Sequence, residues 1–428
     1  MNTPLRLGIA GLGTVGIGVV KIVQTHGEML ARRAGRAIEI VAVSASSRTK
    51  KRSADISAYA WEDDPVALGR RDDVDLVLEL IGGENGTAKA LAETAIANGK
   101  DVVTANKALL AHHGHALALA AEAQGRALRF EAAVAGGIPV IKALTEGLAG
   151  NRIERVMGVM NGTCNYILTR MEATGQGYNA LFEECARLGF LEADPNLDVG
   201  GIDAGHKLSL LAAIAFGTQV KFSAVELQGI TDISLDDIRL ARDMGFSIKL
   251  LGVAQMTGRG LEQRMTPCLV PEAHPLGQLD GGTNMVVIEG DSVGQIVLRG
   301  AGAGEGPTAS AVMGDVIDIA RGFRLPTFGA PADTLIEAPA AVVSSAAPWY
   351  LRMVLLDKPG ALAKIATALG DAGISIDRMR QYSHDGAHAP VLIVTHKAAS
   401  DDIRHALDRF AATGVLVEEP VAMRIEEV

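Results

Sequence analysis

The residues best suited to chemistry in this sequence are a cluster of carboxylates and two lysines. In GFLEADPNLDVGGIDAGHKLSLLA, Gly189 to Ala212, four acids, Glu192, Asp194, Asp198 and Asp203, precede Lys207. Asp203 and Lys207 stand at i and i+4, which puts them on one helix face if Asp203 begins a helix. A carboxylate-lined pocket holding an ammonium group suits a substrate that bears its own ammonium and a reacting oxygen. By spacing alone, a surface ion pair is the commoner explanation of the two residues. The second lysine, Lys107, lies a few residues past the expected strand Asp101 to Thr104. Ligands of open α/β sheets bind beyond the carboxyl ends of the strands, so a cofactor or substrate can reach Lys107 there. A surface lysine at a helix start is the alternative.

These groups need a scaffold, and the first element of it is GLGTVG, Gly11 to Gly16, between an apolar strand (Leu5 to Ala10) and a helix-like stretch (Val15 to Val23). Gly11 permits a tight strand-to-helix turn, Gly13 lets the backbone approach a pyrophosphate, and Gly16 lets the helix pack closely on the sheet. Thr14 and Val15 stand at the helix start, whose dipole faces the phosphates. A dinucleotide is the expected ligand. The second strand, Ile38 to Val43, carries no acidic residue at its end to hold a free ribose hydroxyl pair. It is followed by SASSRTKKR, in which Arg48 and Lys50 suit a 2′-phosphate. The expected cofactor is therefore NADP, with NAD the alternative, and a solvated basic loop is the plain reading of the same run.

Composition narrows the class. A chain of 428 residues, 48% hydrophobic and poor in aromatics, is long enough for two or three packed domains. A net charge of −10 argues against an extended nucleic-acid footprint, which needs a basic stripe. Cys164, Cys185 and Cys268 form no CxxC pair and are odd in number, so neither a zinc cage nor a disulfide framework is expected, and a reducing cytoplasm fits. No export signal is expected, and no membrane partner, because the apolar runs fall short of a spanning helix.

Strands and helices alternate up to about residue 135, the pattern of a doubly wound, Rossmann-like parallel sheet. This NAD(P)-binding domain, 1–135, is expected to be completed by about 306–330, after the pliable loop GAGAGEG, whose Gly304 can lie against a cofactor. Residues 136–305 read as an α+β domain for substrate binding and catalysis, and 331–348 as a linker rich in Pro, Ala and Ser. The remainder, 349–428, reads as a compact βαββαβ unit. Its DKPGALAKIATALGDAGISI resembles the ACT family of small-molecule regulatory domains, with an amino-acid site implied at the turn Asp357 to Gly360.

Together, GLGTVG, TANKALL, NGTCNYIL and LEADPNLDVGGIDAGHKL resemble the homoserine dehydrogenases, in order and over essentially the whole chain, and the trailing ACT unit matches their longer bacterial form. One departure is that Ser46 and Ser47 stand where an Arg-Asp pair often appears. The resemblance implies reversible hydride exchange between NAD(P)H and L-aspartate 4-semialdehyde, giving L-homoserine on the path to threonine and methionine. Lys207 is then the general acid, Asp203 orients it, and Lys107 lies between cofactor and substrate. Glu192 and Asp198 hold the substrate ammonium, and the NGT backbone, Gly162 and Thr163, lines the substrate. The resemblance also implies a Na+ or K+ site at Glu131, Val134, Gly136 and Ile138, a homodimer or homotetramer, and threonine as an ACT-domain effector. Two rivals stand beside it: a thioester-forming semialdehyde dehydrogenase using Cys164, with His206 as the base, and a non-catalytic amino-acid sensor.

Overall fold

The computed structural model describes residues 3–191, 194–341, 344–382 and 386–428. Its first sheet follows from short, largely buried runs rich in Val, Ile and Leu. β1 (Leu5–Ala10), β2 (Ile38–Ser44), β3 (Ala60–Glu62), β4 (Leu76–Glu79), β5 (Asp101–Thr104) and β6 (Leu128–Arg129) pair in the order β3-β2-β1-β4-β5-β6. Every pairing is parallel. Strand order therefore reverses between β1 and β4, and a crevice opens beyond their carboxyl ends. Helices α1 (Thr14–Ala34), α2 (Thr87–Ala97) and α3 (Lys107–Ala123) connect the strands.

The middle of the chain builds a second sheet with helices on it. Its elements are α4 (Val140–Lys142), β7 (Ile153–Val159), α5 (Gly162–Thr174), α6 (Tyr178–Leu188), α7 (Pro195–Val199), α8 (Ile202–Phe216), β8 (Glu226–Leu227) and α9 (Leu235–Asp243). They continue with β9 (Phe246–Thr257), β10 (Gly260–Pro271), β11 (Thr283–Gly290), β12 (Gly294–Ala301) and α10 (Glu305–Ala320). The last helix returns to the first sheet. A Cβ placed on Gly18 of α1 would lie 2.7 Å from Glu305 O and 2.8 Å from Ala309 Cβ, so α1 and α10 touch backbone to backbone. Lys21 pairs with Glu305 at 2.7 Å across the same seam.

The C-terminal unit has the expected element order: β13 (Trp349–Leu356), α11 (Ala361–Asp371), β14 (Ile376–Gln381), β15 (His388–Thr395), α12 (Ser400–Ala412) and β16 (Val421–Ile425). The segment before it, expected as a linker, touches the second domain at the bridges Thr218 to Ile336 and Leu261 to Ala340. Ser345 Oγ donates to Glu262 at 2.8 Å.

The two units also share one sheet, in the order β12-β11-β7-β9-β10-β16-β13-β15-β14, because β16 pairs in parallel with β10 through Cys268 to Arg424 and Leu269 to Ile425. A buried ionic network closes the seam. Arg264 bonds both Glu262 and Glu426, and Arg155 bridges Glu426 at 3.2 Å and Glu289 at 2.9 Å. Among the described residues no helix is long and apolar enough to cross a membrane.

Candidate active site

Helix α8 begins at Gly201, whose φ of 80° lies in the left-handed region that glycine tolerates. That turn sets Asp203 in the first turn of α8 and Lys207 one turn later on the same face. Lys207 Nζ donates to Asp203 Oδ2 at 2.6 Å and to the carbonyl of Met160 at 2.9 Å. Lys107 arrives from the other domain. It is the first residue of α3, a helix capped by Asn106, whose Oδ1 accepts from Leu109 N at 3.1 Å and whose Nδ2 donates to Gly83 O at 2.6 Å. From there Lys107 Nζ reaches Asp203 Oδ1 at 2.8 Å. Two ammonium groups from separate domains thus share one carboxylate.

Asp203 is only 5% exposed. Burial opposes its ionisation, but the charges of Lys207 and Lys107 prevail and hold the carboxyl well below the usual carboxylate range. Asn161 completes the arrangement. Its Oδ1 caps α5 by accepting from Cys164 N at 2.8 Å, while its Nδ2 donates to Asp198 Oδ1 at 2.9 Å and Asp203 Oδ2 at 3.2 Å. The reading of the sequence missed Asn161 and the Met160 carbonyl. An Asn directly before a Gly-Thr helix start is a cap signal that points to the first of them.

A cavity of about 430 Å³ opens onto this cluster, lined by Gly82, Gly83, Asn106, Lys107, Leu197, Asp203 and His206 among others. His206 packs on Phe222, ring centroids 4.2 Å apart. Burial, then neighbouring His112, pushes its imidazole down to about 4, so it is a neutral wall at neutral pH. Gly162 opens α5, and Thr163 Oγ1 donates to Phe190 O at 3.0 Å. Asp194 caps α7 through Asn196 N at 3.0 Å and is a structural residue here. Glu192 lies outside the described residues.

The thioester reading fails on burial. Cys164 is fully buried, and its thiol faces Asp198 O at 3.3 Å. Burial, followed by Asp198 and Asp203, pushes the thiol well above its ordinary range, whereas a nucleophile needs it lowered. His206 packs at a tilt on Phe222 and edge-on to His112.

The glycine turn has the shape of a phosphate cradle. Gly11 has φ 98°, and a Cβ there would lie 2.3 Å from Leu80 O; one on Gly16 would lie 1.9 Å from Gly11 O. Gly13 differs, since its Cβ would meet no atom within 4 Å and would point into open space. Folding alone therefore accounts for Gly11 and Gly16, while Gly13 leaves room at the α1 N-terminus for a ligand. Beyond β2, a cavity of about 390 Å³ is lined by Arg48, Lys50, Arg52, Tyr59 and Trp61 among others. Its cations are held in place: Arg48 and Arg52 lie over the Trp61 ring at 6.0 and 5.7 Å, and Arg52 Nη2 donates to Ser47 O at 2.6 Å.

Gly304, with φ 123°, caps α10. The preceding Gly302 lies against the turn that holds Ala135 (φ 55°) and Gly136 (φ 57°), where a Cβ on Gly136 would be 2.4 Å from Gly302 O. Glu131 accepts from Ile141 N at 3.0 Å and Lys142 N at 2.8 Å, and burial with nearby Asp315 pushes its carboxyl up to about 7. Among the described residues no group of three or more His, Cys, Asp or Glu is placed to hold a metal, so a cation at this turn would depend on backbone carbonyls.

Comparison with known proteins shows the family. The family model described as "Homoserine dehydrogenase" matches residues 139–317, "Homoserine dehydrogenase, NAD binding domain" matches 11–131, and "ACT domain" matches 349–414. The chain is 43% identical to a homoserine dehydrogenase of Neisseria gonorrhoeae, covering 98% of each chain. It is 40% identical to one of Pseudomonas aeruginosa, covering 99% of each. A crystal structure of a homoserine dehydrogenase from Thiobacillus denitrificans superposes with a TM-score of 0.94 at 39% identity, covering 99% of each chain.

Proposed function

The chain belongs to the homoserine dehydrogenase family, and from that premise we propose that Lys207 gives and takes the proton in the reversible conversion of L-aspartate 4-semialdehyde to L-homoserine. The observation that carries this reading is the convergence of Lys207 and Lys107 on the single buried carboxylate of Asp203 at the cleft. A bound nicotinamide cofactor supplies the hydride in reduction and accepts it in oxidation. As negative charge develops on the substrate oxygen, Lys207 Nζ protonates it, and Lys107 adds a second cation beside it. Asp203 holds both ammonium groups in position at the cleft, while Asn161 holds Asp203 in place. Asp198 and, from the sequence, Glu192 hold the substrate ammonium, with the backbone of Gly162 and Thr163 as the floor.

For the cofactor, the turn Gly11, Gly13 and Gly16 with the N–H groups at Thr14 and Val15 would take the pyrophosphate, and Gly304 would close over it. The cationic cavity beyond β2 favours NADP over NAD, with Arg48 and Lys50 on the 2′-phosphate. Carbonyl oxygens of Val134, Gly136 and Ile138, with Glu131 beside them, would offer Na+ or K+ the hard donors it prefers. We assign the chain to a cytoplasmic homodimer or homotetramer, with threonine acting at the C-terminal domain.

Oxidation of L-homoserine, followed by NADPH or NADH absorbance, tests the assignment. Wild type should turn over, with NADP preferred. Lys207→Ala should lose activity while still binding cofactor; a Lys207→Ala variant as active as wild type would remove the lysine from the chemistry.

A further inference from the structure

Lys249 is a buried ammonium that this reaction leaves without a part. It stands on β9 in the middle of the large sheet, 1% exposed, where an apolar side chain would fill the same space without the cost of burying a charge. Its Nζ donates to Leu279 O at 2.6 Å and to Asn165 Oδ1 at 3.3 Å. Burial pushes it down to about 8 against the pull of Asp280 and Glu172.

Its partners form a clamp. Asn165 lies on α5 and is 1% exposed; its Nδ2 donates to Leu279 O at 3.0 Å and to Gly281 O at 2.7 Å. Gly281 N in turn donates to Thr169 Oγ1, also on α5, at 3.2 Å. The turn 279–282 is thereby tied to α5 by Asn165 and Thr169 and to β9 by Lys249. Its last residue presses on the start of that helix, since a Cβ on Gly162 would lie 2.5 Å from Gly282 O. A shift of this turn would therefore act directly on the Gly162 backbone.

We propose that Lys249 is a positioning residue for the substrate: through Asn165 and the turn 279–282 it sets the depth of the Gly162 and Thr163 backbone at the floor of the site. This rests on the assignment of Gly162 and Thr163 to the substrate. It requires no contact between Lys249 and any ligand, and it predicts an effect on homoserine but not on cofactor.

The test uses full-length Lys249→Met and Asn165→Asp; the second keeps an acceptor for Lys249 but removes both Asn165 donors to the turn. Both variants should raise KM for homoserine about tenfold, with kcat and KM for NADP within about twofold of wild type, the pattern of lost substrate binding. An unchanged homoserine KM, or an equal rise in both KM values, overturns the proposal. Failure of both variants to fold overturns it too, since the clamp would then serve folding. Wild type and Lys207→Ala run alongside separate the two readings: no wild-type turnover fails the functional assignment, whereas normal kinetics in Lys249→Met beside an inactive Lys207→Ala fails only this one.

Discussion

Asp203→Asn tests the centre of the site, because it removes one charge and almost no volume. The carboxylate pairs with Lys207 at 2.6 Å and Lys107 at 2.8 Å and accepts from Asn161 at 3.2 Å. Taking one partner from a buried ion pair costs about 3–5 kcal/mol, because the remaining charge is left uncompensated. The Lys107 side chain is 27% exposed and the cleft admits water, which places the loss at the lower end, about 3 kcal/mol. For a domain of this size that lowers Tm by roughly 6–12 °C.

The pH dependence has a definite sign. The folded carboxyl is held below its ordinary value, so its contribution is complete above the unfolded pKa of about 3.9 and is lost only as pH falls through the folded value. The deficit of the variant, measured by scanning calorimetry, should therefore be the same at about pH 8 and about pH 5, both above that unfolded value. Turnover of homoserine should fall by about 100-fold or more as the two ammonium groups lose their common orientation. A deficit that shrinks between those two pH values would show that the carboxyl is not held low. A variant with the Tm and kcat of wild type would refute the shared-carboxylate account altogether.

The glycine turn separates folding from binding: Gly16→Ala should destabilise the protein, by collision with Gly11 O, whereas Gly13→Val should melt like wild type but bind NADP at least about tenfold more weakly by titration calorimetry. Equal melting losses in both would undo that distinction. Arg48→Ala combined with Lys50→Ala should raise KM for NADP about tenfold or more and leave KM for NAD nearly unchanged; parallel losses with both cofactors would detach the basic cavity from the 2′-phosphate. Cys164→Ala should keep homoserine turnover within about threefold of wild type and lose about 1 kcal/mol of stability from the small void it leaves. Abolished turnover in a well-folded Cys164→Ala would reopen the thioester reading.

How much of this was legible beforehand depends on the range over which each feature is encoded. Gly16 could be read from the chain because its Cβ would collide with Gly11 O, a few residues away, and Gly11 because its left-handed φ is a property of the turn itself, although the crowding of Gly11 by Leu80 O is a long-range contact. The Asp203 and Lys207 pair was legible because a helix brings i and i+4 together whatever lies around it. The alternation of strand and helix before residue 135 and the C-terminal βαββαβ pattern were legible for the same reason, since side-chain periodicity is a local property.

Tertiary structure alone decided the rest. Lys107 meets Asp203 only because α3 and α8 pack across a domain boundary, and no spacing in the sequence encodes that distance. Asn161 was overlooked because its cap role is local but its bonds to Asp198 and Asp203 are not. The segment 331–348 has the composition of a tether, yet its backbone finds partners on Thr218 and Leu261, and β16 pairs with β10 to join two units into one sheet. Composition reports what a segment can do alone, and these partners lie far along the chain. The sequence by itself determined the elements, the glycine turn and the Asp203–Lys207 pair; the packing of those elements decided which distant charges share a site, because burial and long-range pairing exist only once the chain has closed on itself.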